Sequence, residues 1–458
     1  MLFEDMEFGP YDRAERNARK AYELYEDGQM NQALAKLEQA LEINPTNSAW
    51  HFNKGLTLDA INRFDEAIAE YEIALQLSPS DLEILNSLAV DYTRTGLYDR
   101  ALTLFEQIQE LDPAFEPCYC NRIITYTEMG QHDLAEQMFY LAQQIDPDCA
   151  LCYYNIGNSL FARNEFKKAV RCWLRTAELE PSHPQIHYRI AQAYWSDGDH
   201  ARAREHFLSE LRGNPGDIDV IMDFALFVLE QGDIPSAREK LNRALELDPD
   251  FAPALFYLGE LAFDEGDVPR AVERFGQAGE KDPELPGPNY RLAQHALSND
   301  RGSEARAYLR KEMDLNVENA GTLVSMASML LTVGDPDHAV QCLLRATGFD
   351  KSNTEAYYYL GVATANKGYF DDAERFFSRA LELEEGHAGA LRDSALMYVV
   401  AGQNEKAAER IARARAALPR DFELRMLDYG LRLMRLTDRL GHILSKFNPR
   451  KVWHRARR

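Results

Sequence analysis

The 458-residue sequence predicts an all-α solenoid in which one helical hairpin is stacked twelve times. Alanine recurs every 34 residues without a miss, from Ala33 to Ala407. Proline keeps the same interval over eight positions, from Pro45 to Pro283. A fixed period of this size is the signature of a repeat protein whose units bury their apolar faces against their neighbours. Because each repeat contacts only adjacent repeats, we expect one elongated domain without linkers over residues 14–421.

Each repeat contains two stretches in which apolar residues recur at the spacing of an α-helix. In residues 150–183, Ile156 and Leu160 lie on the first stripe, and Ala169 and Trp173 lie on the second. A single hairpin leaves an apolar face that only the next repeat covers, so both stripes are required. The sequence therefore predicts twelve antiparallel pairs of helices and no strands.

A residue that tolerates the left-handed conformation ends the first helix of nearly every repeat, as a helix stop requires. Asp300 holds this place in the ninth repeat. In the other repeats the stop is Gly28, Asn62, Gly96, Gly130, Asn164, Gly198, Gly232, Gly266, Gly334, Gly368 or Gly402.

Two further positions are normally small, counting each repeat from residue 14 onward. Glycine or alanine at the eighth position, as at Gly157 and Gly259, permits close approach of the two helices, and Ile123 breaks this rule. Bulk or charge at position 27 is expected to loosen contact with the next repeat, unless a neighbouring side chain compensates. The residues that replace the small one there are Ile108, Thr176, Glu210 and Glu312.

The order of these features is an aromatic residue, Leu-Gly, Tyr, then Ala with an aromatic four residues later, and a closing Pro. Residues 153–181 and 255–283 match this order closely. In this pattern the sequence resembles the tetratricopeptide repeat family, and the resemblance covers residues 14–421. It implies a right-handed superhelical solenoid with the first helices on its inner wall. The remaining segments are an acidic lead-in (1–13), a capping helix (422–446) and a basic tail (447–458).

In this family, fixed positions of the first helices line a concave groove that binds partners. Aromatic rings beside amides and a guanidinium suit a peptide, because they offer both contact area and hydrogen bonds. The same residue types are also common in the family for ancestral reasons, so both interpretations stay open. The resemblance assigns to the groove Tyr154, Asn155, Asn158, Phe161, Tyr188, Arg189, Gln192, Trp195, Phe256, Tyr257, Glu260, Phe263, Tyr290, Arg291 and Gln294.

Charge is distributed unevenly along the chain. The net charge is −23, and residues 422–458 carry ten Lys or Arg against three acids, a net of +7, which leaves −30 for residues 1–421. An acidic body repels phosphates and argues against nucleic acid as its main ligand. Three binding partners stay open for the basic tail, namely an acidic surface of the same molecule, an anionic membrane or RNA.

The segment from residue 422 onward also has a structural role. Leu424, Leu427, Leu431 and Met434 form an apolar stripe at helical spacing. A solenoid needs such a cap because its last repeat otherwise exposes an apolar face. We therefore expect a helix over residues 422–446 that covers the twelfth repeat.

Four of the six cysteines fall in two adjacent repeats, as the pairs Cys118 with Cys120 and Cys149 with Cys152. Four thiolates are a zinc ligand set. However, residues two apart on a helix point about 200° away from each other, so Cys118 and Cys120 are not expected to face one ion. Cys118 and Cys152 occupy an inward position where alanine is usual. We interpret the cysteines as packing residues, with metal binding or redox chemistry as the alternative.

No sequence feature predicts catalysis. There is no Ser/His/Asp set, nucleotide-binding loop or His-Glu metal pair, and residues 422–458 are too few for a catalytic domain. We therefore expect no enzyme activity, no cofactor and no metal. The first residues lack the basic and apolar regions of a signal peptide, so we expect a cytoplasmic protein.

Together these features favour a non-catalytic adaptor or scaffold that binds partner proteins, or peptide segments of them, in the groove. Three alternatives stay open. The first alternative is a regulatory subunit that recruits substrates to a separate enzyme. The second is a structural protein that associates end to end. The third alternative is a peripheral membrane- or RNA-associated assembly factor that acts through its basic tail.

Overall fold

The computed structural model describes residues 10–315, 317–417, 419 and 422–436, where every regular element is an α-helix and no strand occurs. The chain divides into two compact units, Met1–Val220 and Ile221–Arg458. The helices of the first unit are α1 (Pro10–Glu26), α2 (Met30–Leu41), α3 (Ser48–Asp59), α4 (Phe64–Leu77), α5 (Leu82–Arg94), α6 (Tyr98–Leu111), α7 (Glu116–Glu128), α8 (His132–Ile145), α9 (Ala150–Ala162), α10 (Phe166–Leu179), α11 (Ile186–Ser196) and α12 (His200–Gly213).

The boundary between the units falls within α13, Ile218–Glu230. The later helices are α14 (Ile234–Leu247), α15 (Ala252–Asp264), α16 (Val268–Lys281), α17 (Pro288–Ser298), α18 (Gly302–Met313), α19 (Ala320–Thr332), α20 (Pro336–Phe349), α21 (Thr354–Lys367), α22 (Phe370–Leu383), α23 (Ala388–Val400), α24 (Asn404–Ala417) and α25 (Phe422–Leu436). The prediction of twelve helix pairs followed by one further helix is confirmed.

Within the first unit, each first helix packs against the second helix of its own repeat, from α1 with α2 to α11 with α12. It also packs against the second helix of the preceding repeat, as α3 does on α2 and α11 does on α10. Successive first helices touch as well, for example α7 and α9. Each hairpin is therefore covered by its neighbours, as the 34-residue period predicts.

The second unit repeats this arrangement. Pairs run from α15 with α16 to α23 with α24, and first helices rest on the preceding second helix, as α17 does on α16. The alanine that recurs every 34 residues is fully buried in all twelve repeats, in both units. Only a methyl group fits where the two helices of a hairpin meet, so the period in the sequence is a packing requirement.

The predicted helix stops are confirmed. All twelve have a positive φ, including Asn62, Asn164 and Asp300 with φ between 56° and 60°. The left-handed turn brings backbone N–H groups back onto the free carbonyls of the last helical turn. After Asp300, for example, the N–H of Arg301 donates to the carbonyl of Ala296 at 2.8 Å.

Glycine at the eighth position is explained by an aromatic ring that lies on it. A Cβ built at Gly157 would stand 2.4 Å from Nε1 of Trp173, far inside contact distance. The same clash, with a ring sixteen residues later, occurs in every third repeat. The four pairs are Gly55 with Tyr71, Gly157 with Trp173, Gly259 with Phe275 and Gly361 with Phe377.

The two glutamates at position 27 cap helices. Glu312 is buried, and its carboxylate accepts hydrogen bonds from the backbone N–H groups of Gly287 (2.5 Å) and Tyr290 (3.2 Å). In the sixth repeat, Glu210 accepts from the N–H of Tyr188 at 3.2 Å. Both carboxylates cap the first helix of their own repeat, where the residue before the helix offers no capping side chain. These hydrogen bonds lie within one repeat. Between repeats, α18 of the ninth repeat packs less extensively on the next first helix, α19, than any other second helix whose packing on its successor is described, as a charge at position 27 predicts.

The predicted cap is present in the described part of residues 422–446. Leu424 and Leu431 of α25 are buried, with Leu427 partly buried beside them, in the cluster that includes Ile411 of α24. Residues 437–446 and the basic tail 447–458 lie outside the described residues. None of the helices that the structure describes is long and apolar enough to cross a membrane.

Candidate functional site

The predicted groove residues of the fifth repeat lie on α9 and are mostly half-buried. The ring of Phe161 packs edge-on against Phe166 and near Trp173, with centroids 5.4 and 5.7 Å apart. The ring of Tyr154 lies 4.4 Å from that of His183. Asn158, on the same helix, is half-buried. These rings are fixed by contacts within the fold and keep part of their surface accessible.

Asn155 was predicted to line the groove, but its side chain is buried. Its side chain is only 5% exposed, and its amide Nδ2 lies 3.4 Å from both the carbonyl oxygen and the sulfur of Cys120. Cys120 belongs to α7 of the preceding repeat. The amide of Asn155 therefore joins two repeats, and we assign it to their interface.

The sixth repeat places its predicted groove residues on α11. Trp195 and Tyr188 are half-buried, and both rings lie 6.3 Å from that of the buried Phe207 on α12. Arg189 and Gln192 are half-buried on the same helix. Each aromatic ring thus has one edge in the core and one accessible edge, which suits a contact residue held in a fixed orientation.

In the second unit, α15 and α17 form a mixed apolar and charged surface. Phe263 is 43% exposed, and the guanidinium of Arg291 lies 5.4 Å from its ring centroid. The same guanidinium donates to both carboxylate oxygens of Glu260, with Nε to Oε1 at 2.7 Å, and to Gln294 at 3.0 Å. The hydrogen bond to Glu260 raises the pKa of Arg291 above its usual value. The cation is thereby oriented over an accessible ring.

Tyr290 and Tyr257 complete this surface, whereas Phe256 packs against the backbone before α17. The hydroxyl of Tyr290 accepts a hydrogen bond from Gln294 at 2.9 Å. Tyr257 is half-buried edge-on to Phe256, and burial raises its pKa. The Phe256 ring also lies over Gly287, where an added Cβ would stand 2.8 Å from it. Phe256 therefore also sets the path of the chain into α17.

A second group of residues lies where α7 meets α9, and sequence reasoning considered its cysteines as metal ligands but missed Glu116. One ligand atom each of Glu116, Cys120, Cys149 and Cys152 lies within 4.8 Å of the other three. Cys118, by contrast, is buried with its sulfur 3.4 Å from the carbonyl oxygen of Phe105, away from this group. The angular argument that separates Cys118 from Cys120 is correct, and the convergence of the other three cysteines favours the metal or redox alternative over packing for them.

The side chains of this group interact with one another. Cys149 precedes α9, and the thiols of Cys120 and Cys152 hold its pKa below the usual value. The Sγ of Cys152 donates to Oε1 of Glu116 at 2.9 Å. Burial raises the pKa of Glu116 to about 7. The sequence spacing could have revealed Glu116 as a member of this group, because it stands one helical turn before Cys120, on the face opposite Cys118.

Comparison with known families agrees with this geometry. The family described as tetratricopeptide repeat matches residues 18–81, 53–115, 154–218, 223–287 and 325–390, which together exceed half of the chain. The chain belongs to the tetratricopeptide repeat family. It therefore has the all-α solenoid fold that serves in general as a scaffold for protein–protein interaction.

Several solved structures, among them one of a tetratricopeptide repeat protein, are similar to the chain at low identity. One from Parabacteroides merdae has 19% identity and a TM-score of 0.44, over 52% of this chain and 94% of its own. The yeast Tom70 structure has 15% identity and a TM-score of 0.36, over 92% and 96% of the two chains. The Cut9–Hcn1 structure has 14% identity and a TM-score of 0.37, over 92% and 96%. No curated protein matches the chain.

Proposed function

We propose that this tetratricopeptide repeat protein is a non-catalytic adaptor that binds extended segments of partner proteins along the first helices of its repeats. Its place in the family supports binding of proteins in general. The aromatic, amide and charged side chains of the first helices favour extended peptide segments as the ligand. We assign the contacts to two patches, one for each compact unit. Patch one is formed by Tyr154, Asn158, Phe161, Tyr188, Arg189, Gln192 and Trp195. Patch two is formed by Tyr257, Glu260, Phe263, Tyr290, Arg291 and Gln294.

The observation that carries the proposal is the arrangement around Phe263. The ring of Phe263 is 43% exposed, and the guanidinium of Arg291 is held over it by the carboxylate of Glu260, which lies on the same helix as Phe263. A ring flanked by a cation and a carboxylate offers both apolar contact and charged hydrogen bonds to an extended peptide. We therefore expect patch two to prefer segments that combine an apolar side chain with a charge.

The experiment compares three forms of the full chain in capture from lysate with quantitative mass spectrometry. The first is the unaltered chain, and the second is Trp195→Ala with Phe263→Ala, one substitution in each patch. The third is Tyr140→Ala with Leu344→Ala, which removes side chains that are 55% and 53% exposed on second helices. This control also removes exposed apolar surface from each unit but leaves both patches intact.

We expect specific partners to be depleted at least about tenfold by the patch substitutions, which corresponds to about 1.4 kcal/mol, and to be retained by the control. Equal helical content by circular dichroism must accompany this result. Identical capture by all three forms would contradict the proposal. A stoichiometric enzyme among the captured proteins would select the regulatory-subunit alternative. We also propose a cytoplasmic location, which rests on the sequence expectation alone.

A further inference from the structure

The side chains of Glu116, Cys120, Cys149 and Cys152 converge from two adjacent repeats. Glu116 and Cys120 lie one turn apart on α7, Cys149 caps α9, and Cys152 lies in the first turn of α9. Their four ligand atoms are all within 4.8 Å of one another. Cys120 and Cys152 are each 1% exposed, whereas Cys149 and Glu116 are only half-buried and leave an approach from solvent.

These distances are close to those of a tetrahedral metal site. Thiolates bind zinc at about 2.3 Å, which places two sulfurs of a tetrahedron about 3.8 Å apart. The distances between the four atoms therefore need to change by about 1 Å or less, which rotation of the partly exposed Cys149 and Glu116 side chains can supply. We propose that Glu116, Cys120, Cys149 and Cys152 form a Zn²⁺ site that clips the fourth repeat to the fifth.

Ligand chemistry favours zinc over other metals. Three sulfurs exclude magnesium and calcium, which take oxygen ligands. Copper(I) prefers sulfur alone, whereas zinc accepts a carboxylate beside thiolates. Each coordinating thiol gives up its proton to solvent, and so does the carboxyl group where it is protonated. With four protein ligands the coordination is complete, so the site is structural and leaves no position for a substrate.

Surrounding donors already point at the sulfurs that would carry negative charge. The backbone N–H of Cys152 donates to the sulfur of Cys149 at 3.1 Å, and the amide of Asn155 lies 3.4 Å from the sulfur of Cys120. The start of α9 adds the partial positive charge of a helix N-terminus at Cys149. Hydrogen bonds of this kind orient metal ligands and reduce the repulsion between thiolates.

The test uses the full chain, reduced and stripped of metal, with Co²⁺ or Zn²⁺ alone as the probe. We expect one Co²⁺ per chain, with the absorption of a tetrahedral thiolate complex, and displacement by one equivalent of Zn²⁺. Bound Zn²⁺ should also protect Cys149 from alkylation and raise the melting temperature. These readouts need no substitution and therefore do not depend on whether a variant folds.

Variants then locate the site. Cys120→Ser and Cys152→Ser should each weaken metal binding by more than about tenfold, and Glu116→Gln by about tenfold. Cys118→Ala is the matched control, because it removes a buried thiol from the same helix outside the group, and it should bind as the unaltered chain does. Failure of the reduced chain to take up metal would overturn the proposal. Equal uptake by the cysteine variants, or a disulfide within the group with no uptake after reduction, would do the same.

Discussion

Gly157 offers the sharpest test of how the repeats are packed. In Gly157→Ala the new methyl carbon would stand 2.4 Å from Nε1 and 2.6 Å from Cδ1 of Trp173, where carbon contacts normally begin at about 3.5 Å. The ring must therefore move by about 1 Å. Trp173 is 1% exposed, so its neighbours must shift with it, and its Nε1 donates to the carbonyl of Tyr154 at 3.1 Å.

The expected loss of stability follows from three contributions. Overpacking costs about 1–3 kcal/mol, and a strained hydrogen bond costs about 0.5–1.5 kcal/mol. Alanine recovers about 1 kcal/mol over glycine in a helix, so the net destabilisation is about 1–3 kcal/mol. A leucine at Gly157 or at Gly259 extends this to about 2–4 kcal/mol. The measurement is thermal and urea unfolding followed by circular dichroism.

Two comparisons make the result interpretable. Gly276→Ala on α16 adds the same methyl where nothing lies within 4 Å, so stability should be unchanged or rise by up to about 1 kcal/mol. Trp173→Phe combined with Gly157→Ala should recover most of the loss, because Ala89 with Phe105 forms a fully buried pair of this size. If Gly157→Ala behaves like Gly276→Ala, the assignment of the helix contact is refuted.

Three further predictions concern pH, capping and the tail. Burial and the nearby Asp59 raise the pKa of Asp91 from 3.8 to about 7. The folded state therefore holds a proton that the unfolded state has lost, and stability should fall by a few kcal/mol between about pH 4 and pH 7. Asp91→Asn should flatten this part of the melting-temperature profile, and an unchanged slope would contradict the assignment. Glu312→Ala removes the cap on the N–H of Gly287 and should cost about 1–2 kcal/mol in unfolding experiments, whereas an unchanged midpoint would deny the capping role. Deleting residues 447–458 should raise partner affinity at low salt and less so at high salt, because the tethered basic tail competes with the partner for the acidic body. Equal partner affinities of the full and shortened chains at every salt concentration would exclude this competition.

The fold could be predicted from the sequence because it depends on short-range rules repeated twelve times. The alanine at each 34-residue step is buried in every repeat, and each helix stop adopts the expected left-handed conformation. The capping role of Glu312 could not be predicted from its position alone. It depends on a helix start at Gly287 that has no capping side chain of its own, which is a contact between residues 25 apart.

The candidate site was less accessible to sequence reasoning. Family positions identified Phe263 and Arg291, whose side chains do lie together, but also Asn155, which is buried against Cys120. The position of a residue on a helix does not reveal how closely the neighbouring repeat approaches. For the same reason the cysteine pairs suggested packing, because convergence with Glu116 requires the distance between two helices of adjacent repeats.

Photo-crosslinking tests the central claim, that the first helices carry the partner-binding surface, most directly. A photoreactive phenylalanine analogue would be placed at Phe263 or Trp195 in one set of full-length chains, and at Tyr140 or Leu344 in a matched set. Partner peptides crosslinked to the chain would then be identified by mass spectrometry. We predict crosslinks to partner segments at Phe263 and at Trp195 and at neither second-helix position. Crosslinks concentrated at Tyr140 or Leu344 would contradict the account and place the binding surface on the second helices.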